Sequence, residues 1–192
     1  MASKGGARAK GTDGTDYGHR ETIASHYQIS STNKRRLKIT VVLHMLLLIF
    51  VILKLSTEIL QFVNISPMKF YDIKFPKAIL WEWVWLSSVI FTLAAFYGLR
   101  KNNVMAMKVY SVGIFVCGII PLVGAIAYHS GDLKVFLLSD NIGTNVEKFR
   151  GVPVVLITCI FVSITFLVHS LSIIFAVNLI RAWTPKKGKK KA

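Results

Sequence analysis

One run of residues constrains this chain more than any other. Residues 151–180 contain no Asp, Glu, Lys or Arg, and they end abruptly at Arg181, beyond which five lysines precede Ala192. A helix needs about 20 predominantly apolar residues to cross a bilayer, so this run spans with length to spare. A helix apolar on every face has no side left for water, which sets it apart from the amphipathic helices of soluble domains. The chain therefore reads as an integral membrane protein.

Three further apolar blocks precede this one. The fold class expected is all-α, a four-helix transmembrane bundle with spans at 39–62, 78–98, 109–128 and 152–180. The segments 63–77, 99–108 and 129–151 connect them, and disordered tails occupy 1–38 and 181–192. The formal net charge of +15 is distributed unevenly: seventeen Lys/Arg lie in the two tails and the 99–108 turn, against six in 63–77 and 129–151. Short cytosolic segments carry the excess of Lys and Arg, so both termini and the middle turn are expected in the cytosol. Nucleic-acid binding, the usual implication of such a charge, is set aside because the basic runs flank spans and no readout motif accompanies them. The first 38 residues are polar and show no cleavable leader, so the first span is expected to serve as its own insertion signal. Cys117 and Cys159 both fall inside apolar spans; neither a disulfide framework nor a metal site follows from them, and no cofactor is expected.

The basic collar Lys34, Arg35, Arg36 and Lys38 stands directly before the first span, where each charge near an anionic leaflet contributes about 1 kcal/mol. Uncharged sequence from Ile39 ends at Leu53, which is too short to cross. Lys54 must then lie in the bilayer or at its far edge, and Glu58 follows four residues later on the same helix face. A charge at mid-bilayer costs roughly 2.5–3.5 kcal/mol on insertion scales, which pairing and snorkelling reduce. Lys54, Glu58 and His169 of the fourth span are read as an intramembrane polar clamp. The alternative is a small proton-coupled transporter or channel built on the same three residues.

Trp81, Trp83 and Trp85 at one end of the second span and Tyr97 at the other suit the two headgroup levels. Gly113, Cys117, Pro121 and Ala125 repeat every fourth position of the third span. Such a small-residue seam lets a helix approach closely, within the chain or in a homo-oligomer, and Pro121 is expected to kink the span. In the fourth span Thr158, Thr165, His169, Ser172 and Ala176 share one narrow stripe, as an interhelical seam requires. No phosphate-binding glycine loop, zinc-protease helix motif, Cys pair or nucleophile elbow occurs, and no carboxylate pair is spaced for acid–base work, so no active site is read.

The N-terminal segment carries Gly11, Thr12, Asp13, Gly14 and Asp16, then His19 and Arg20, then His26, Tyr27 and Gln28. This pattern closely resembles the start of Jagunal-family proteins, and the resemblance continues through Lys54, the Arg100/Asn102-Asn103 turn and Pro121-Leu122. It implies a four-span endoplasmic reticulum protein with both ends cytosolic, linked to endoplasmic reticulum organisation and partitioning and to vesicle-mediated transport. It also implies association with the coatomer coat and importance for oocyte growth and neutrophil function. Independently, Lys189 and Lys190 stand fourth and third from the end of the sequence, the register of a dilysine retrieval signal that coatomer reads on a cytosolic tail. The expectation is a non-enzymatic membrane protein whose tails present signals to coat machinery, with the lipid bilayer and coatomer as partners.

Overall fold

The computed structural model describes residues 17–64, 75–138 and 146–184. Four helical spans form the bundle. The first is the single helix α1 (Tyr17–Phe62); the second is α2 (Leu80–Leu86) continued by α3 (Val89–Lys101). The third comprises α4 (Val104–Gly113), a π-helical turn (Ile114–Ile119) and α5 (Ile120–Tyr128), and the fourth is α7 (Val154–Trp183), reached through a short helix α6 (Ser130–Leu138) and a two-stranded hairpin, β1 (Lys148–Phe149) and β2 (Val152–Pro153). Around the bundle each span packs on the next, and α1 closes the ring against α7.

α1 begins at Tyr17 rather than at Ile39, so residues 17–38, placed in the disordered tail on their polar composition, are instead the first part of a 46-residue helix. The reason lies in a contact that composition does not reveal. The buried positions Asn33, Leu37, Thr40, Val41, His44, Leu48, Val51 and Leu55 follow a spacing of three and four, a continuous stripe down one helix face. At its upper end the Trp183 indole N–H donates to Ser30 Oγ at 2.8 Å. Lys34 Nζ lies 5.4 Å from the centre of the same ring, and the Arg36 guanidinium lies 5.8 Å from that of Phe175. Half of the basic collar thus rests on aromatic faces of α7, a cation–π attraction. α1 then continues about 20 Å beyond the level of Trp183, at 1.5 Å per residue. Trp183→Phe keeps the ring and removes the donor; amide exchange across 17–33 is expected to quicken roughly fivefold, the worth of one hydrogen bond. Unchanged exchange would mean that the contact does not hold the extension.

The connection between α3 and α4 is dictated by two asparagines. Asn102 ends α3 in the left-handed region at φ 53°, a conformation Asn tolerates. Asn103 then caps α4, its side-chain oxygen accepting from the Ala106 N–H at 3.0 Å. At the opposite end of the bundle Asn64 terminates α1 with φ 56°. Arg150 and Gly151, at φ 49° and 85°, form the two-residue turn of the hairpin, in which both central residues need positive φ.

The small-residue seam of the third span is turned inward. Gly113, Pro121 and Ala125 are buried, and the ring of Phe91 on α3 fills the space a Gly113 side chain would take. Of the two readings, a close helix contact within the chain or in a homo-oligomer, these positions take the first. Pro121 is preceded by the π turn, where the Ile120 N–H reaches back five residues to the Phe115 carbonyl. Outward-facing Ile39, Val42, Leu46, Ile49 and Phe50 give the bundle the apolar exterior that lipid demands. Ser30 of α1 and Trp183 at the end of α7 lie side by side, at the end that also carries Arg35, Arg36, Arg100 and Lys101; this is the basic end, and the hairpin lies at the loop end.

Candidate functional site

Helices in lipid gain little from hydrophobic burial against one another, so van der Waals packing and interhelical hydrogen bonds hold them together. The interior of this bundle is accordingly layered. One apolar cluster at the basic end includes Leu37, Met107, Tyr110, Ile114 and Leu179. A second at the loop end includes Leu48, Leu55, Trp81, Trp85, Leu122 and Val162. Between them lies a polar layer in which His44, Ser88, Thr165, His169 and Ser172 are all fully buried.

Each side chain in that layer is delivered by a local feature. His44 sits on the buried stripe of α1. Ser88 sits in a tightened turn between α2 and α3, where the Ser88 N–H bonds back three residues to Trp85 and the Phe91 N–H to Ser88, the pattern of a 3₁₀ turn. His44 Nε2 and Ser88 Oγ are hydrogen-bonded at 2.9 Å. His169 comes from the α7 stripe, and the π turn of the third span meets it at Gly118, where an added Cβ would stand 3.0 Å from the imidazole. The two imidazoles meet edge to face at 4.6 Å. Trp85 Nε1 donates to His169 Nε2 at 3.0 Å. An indole N–H only donates, so His169 Nε2 is the unprotonated nitrogen and the bond requires the neutral ring with its proton on Nδ1. Four helices thereby meet around two imidazoles, a hydroxyl and an indole. His44 Nδ1, His169 Nδ1 and Thr165 Oγ1 have no hydrogen-bond partner in the protein here, while the Tyr110 and Ser172 hydroxyls interact with each other. Among the described residues no group of three His, Cys, Asp or Glu forms that could hold a metal ion.

The residues of the expected clamp fall in two separate layers. Lys54 does not pair with Glu58; its ammonium is bonded to Glu82 of α2. Glu58 Oε1 instead accepts from the Ala78 N–H at 2.6 Å, and Glu82 Oε2 accepts from the Ile79 N–H at 3.3 Å. Two carboxylates thus crowd the N-terminus of α2, where unpaired N–H groups and the helix dipole favour negative charge, and an intrahelical Lys54–Glu58 pair gives way to contacts that tie two helices. His169 is at a different depth. Ser30–Trp183 and His44–His169 mark an antiparallel register of α1 on α7, each interval being fourteen residues. Lys54 then lies ten residues, about 15 Å, below His44, with Leu48, Val51 and Val162 of the second apolar cluster in the interval. Thr165, His169, Ser172 and Ala176 of the α7 stripe are buried, while Thr158 is half-buried.

Sequence reasoning missed His44, Ser88 and Glu82. His44 had a legible signal, since it continues the spacing of Leu37, Val41 and Leu48, and its partner His169 was already in view. Of the N-terminal signature, His26 is half-buried on α1, and Tyr27 and Gln28 are exposed. His19 and Arg20 lie in the first turn of the same helix, whereas Gly11, Thr12, Asp13, Gly14 and Asp16, like Lys189 and Lys190, lie outside the described residues.

The family model described as "Jagunal, ER re-organisation during oogenesis" matches residues 1–187. Protein jagunal of Drosophila melanogaster is 33% identical over the whole chain and 99% of its own length. Protein jagunal homolog of Caenorhabditis elegans is 35% identical over 97% of the chain and 99% of its own length. Protein jagunal homolog 1 of Homo sapiens is 26% identical over the whole chain and 99% of its length. A match of this extent takes in all four spans, the polar layer between them and the N-terminal signature ahead of them, and this multi-pass membrane chain belongs to the Jagunal family, which is associated with reorganisation of the endoplasmic reticulum.

Proposed function

We propose that this protein is a non-enzymatic component of the endoplasmic reticulum membrane that supports its organisation and partitioning and vesicle-mediated transport in the early secretory pathway. Both termini face the cytosol in this reading, and Lys189 and Lys190 engage coatomer. The observation that carries it is the family match along residues 1–187, whose description names reorganisation of the endoplasmic reticulum rather than a reaction. The charge asymmetry supports the orientation, because the basic end gathers Arg35, Arg36, Arg100 and Lys101. The Ser30–Trp183 contact supports an adaptor-like role: it ties α1, thirteen residues from its start, to the end of α7, so that both tails leave from the same end of the bundle. The polar layer in this reading is the lock that keeps four helices in register without hydrophobic drive, and it does not conduct: Lys54 and Glu58 lie a whole apolar layer away from His169.

Lys189→Ser with Lys190→Ser is expected to move the full-length protein beyond the endoplasmic reticulum, scored by acquisition of Golgi markers, and to abolish its recovery of coatomer from detergent extracts. Unchanged reticular retention would overturn the retrieval role.

A further inference from the structure

At the loop end a cavity of about 280 Å³ lies between α1 and α7, with Phe75 and Phe149 at its margin and Phe50, Ile157 and Phe161 among its walls. The Phe75 and Phe149 rings are stacked at 5.4 Å. Phe50 is 66% exposed on the outer face of α1 and Ile157 41% exposed on that of α7, so the cavity opens sideways to the bilayer. Its walls are apolar except at one place, where Lys54, Glu82 and Trp81 meet it, and at Thr158 on the α7 wall.

What that place offers is hydrogen-bond donors. Trp81 is only 8% exposed, and its indole N–H has no acceptor. Leaving such a buried donor unsatisfied is destabilising. The Lys54 ammonium has three donors, of which Glu82 takes one. Both Glu82 oxygens are engaged, by Lys54 and by the Ile79 N–H, so the carboxylate beside these donors is already used. The missing complement is an acceptor carried on an apolar chain, approaching from lipid. A 150 Å³ apolar cavity holds benzene, so this volume takes about eleven heavy atoms. That is the ester group and first carbons of one acyl chain, with the rest of the molecule lying along Phe50.

We propose that the cavity is a binding site for a glycerophospholipid of the adjoining leaflet. The lipid enters between α1 and α7 and seats one ester-linked chain against Ile157 and Phe161. Its ester and phosphate oxygens accept from Trp81 Nε1 and Lys54 Nζ. This goes beyond the reading of the tails and is independent of it.

The test is native mass spectrometry of the full-length protein in mild detergent, titrated with dioleoylphosphatidylcholine or, separately, dioleoylglycerol. One phosphatidylcholine adduct is expected to persist on the wild-type protein, with little dioleoylglycerol. Trp81→Phe, which keeps the ring and removes the donor, is expected to lower the bound fraction roughly tenfold. Thr158→Trp, on the half-buried wall, fills the space and is expected to abolish the adduct; it stands as the independent variant should Trp81→Phe fail to fold. Equal binding of dioleoylglycerol, equal adducts on the wild type and both variants, or no adduct on the wild type would each overturn the proposal.

Discussion

Lys54→Met is expected to destabilise the bundle by about 3–5 kcal/mol, the cost of stripping a buried ion pair of one partner. The carboxylate it strands is the side chain of Glu82, which is 4% exposed against 23% for Lys54. The exchange is therefore asymmetric. Glu82→Gln leaves a cation on a long flexible stem that snorkels toward the headgroups, and its cost is expected to be clearly smaller. The amide still offers an oxygen to the Ile79 N–H, so the N-terminus of α2 keeps that cap. Combining Lys54→Met with Glu82→Gln removes both charges from the low-dielectric interior and is expected to recover most of the loss. Unfolding by SDS titration from mild detergent, read by circular dichroism over the full double-mutant cycle, checks all three. A cycle in which the two single effects simply add would show that Lys54 and Glu82 are not coupled, and would return Lys54 to Glu58.

The fate of Lys54 shows where sequence reading stops. Its burial was legible, because fifteen uncharged residues cannot cross a bilayer and the charge had to lie inside. Its partner was not, because spacing along one helix identifies only neighbours on that helix. Glu82 becomes the nearer carboxylate only after α2 has docked, and its place at the N-terminus of α2 is set by one backbone donor, the Ile79 N–H. His169 behaved differently. Its stripe of hydroxyls predicted a buried face directly, since polar groups on a spanning helix must turn from lipid. His44 continues the stripe of Leu37, Val41 and Leu48, which marks it as buried, but only the α1–α7 register brings it to His169. The start of α1 was illegible for a related reason: the polar composition of 17–38 predicts no membrane burial, and the contacts that extend the helix are made with Trp183 and Phe175, near the far end of the sequence.

The close approach of the second and third spans makes Gly113→Ala the other exchange of large expected effect. A Cβ at position 113 would overlap the Phe91 ring at three of its carbons. An aromatic ring cannot fold aside as the tip of a flexible chain can, so α3 and α4 must separate or Phe91 must leave its rotamer. Overpacking of this kind costs about 1–3 kcal/mol and occasionally more. Gly124, eleven residues further along the same span, has nothing within 4 Å of the equivalent position. There the same exchange only removes backbone freedom from the unfolded chain, and Gly124→Ala is expected to stabilise by about 0.5–1 kcal/mol. The two exchanges are chemically identical and lie on one span, so their opposite signs isolate the contact from helix propensity. Gly113→Ala combined with Phe91→Leu, which exchanges the flat ring for a smaller flexible side chain, is expected to regain at least half of the loss. Thermal unfolding of the three variants in one detergent measures the effect. If Gly113→Ala proved as stable as Gly124→Ala, the third span would not pack on Phe91, and its small-residue seam would again be free to meet a second copy of the chain.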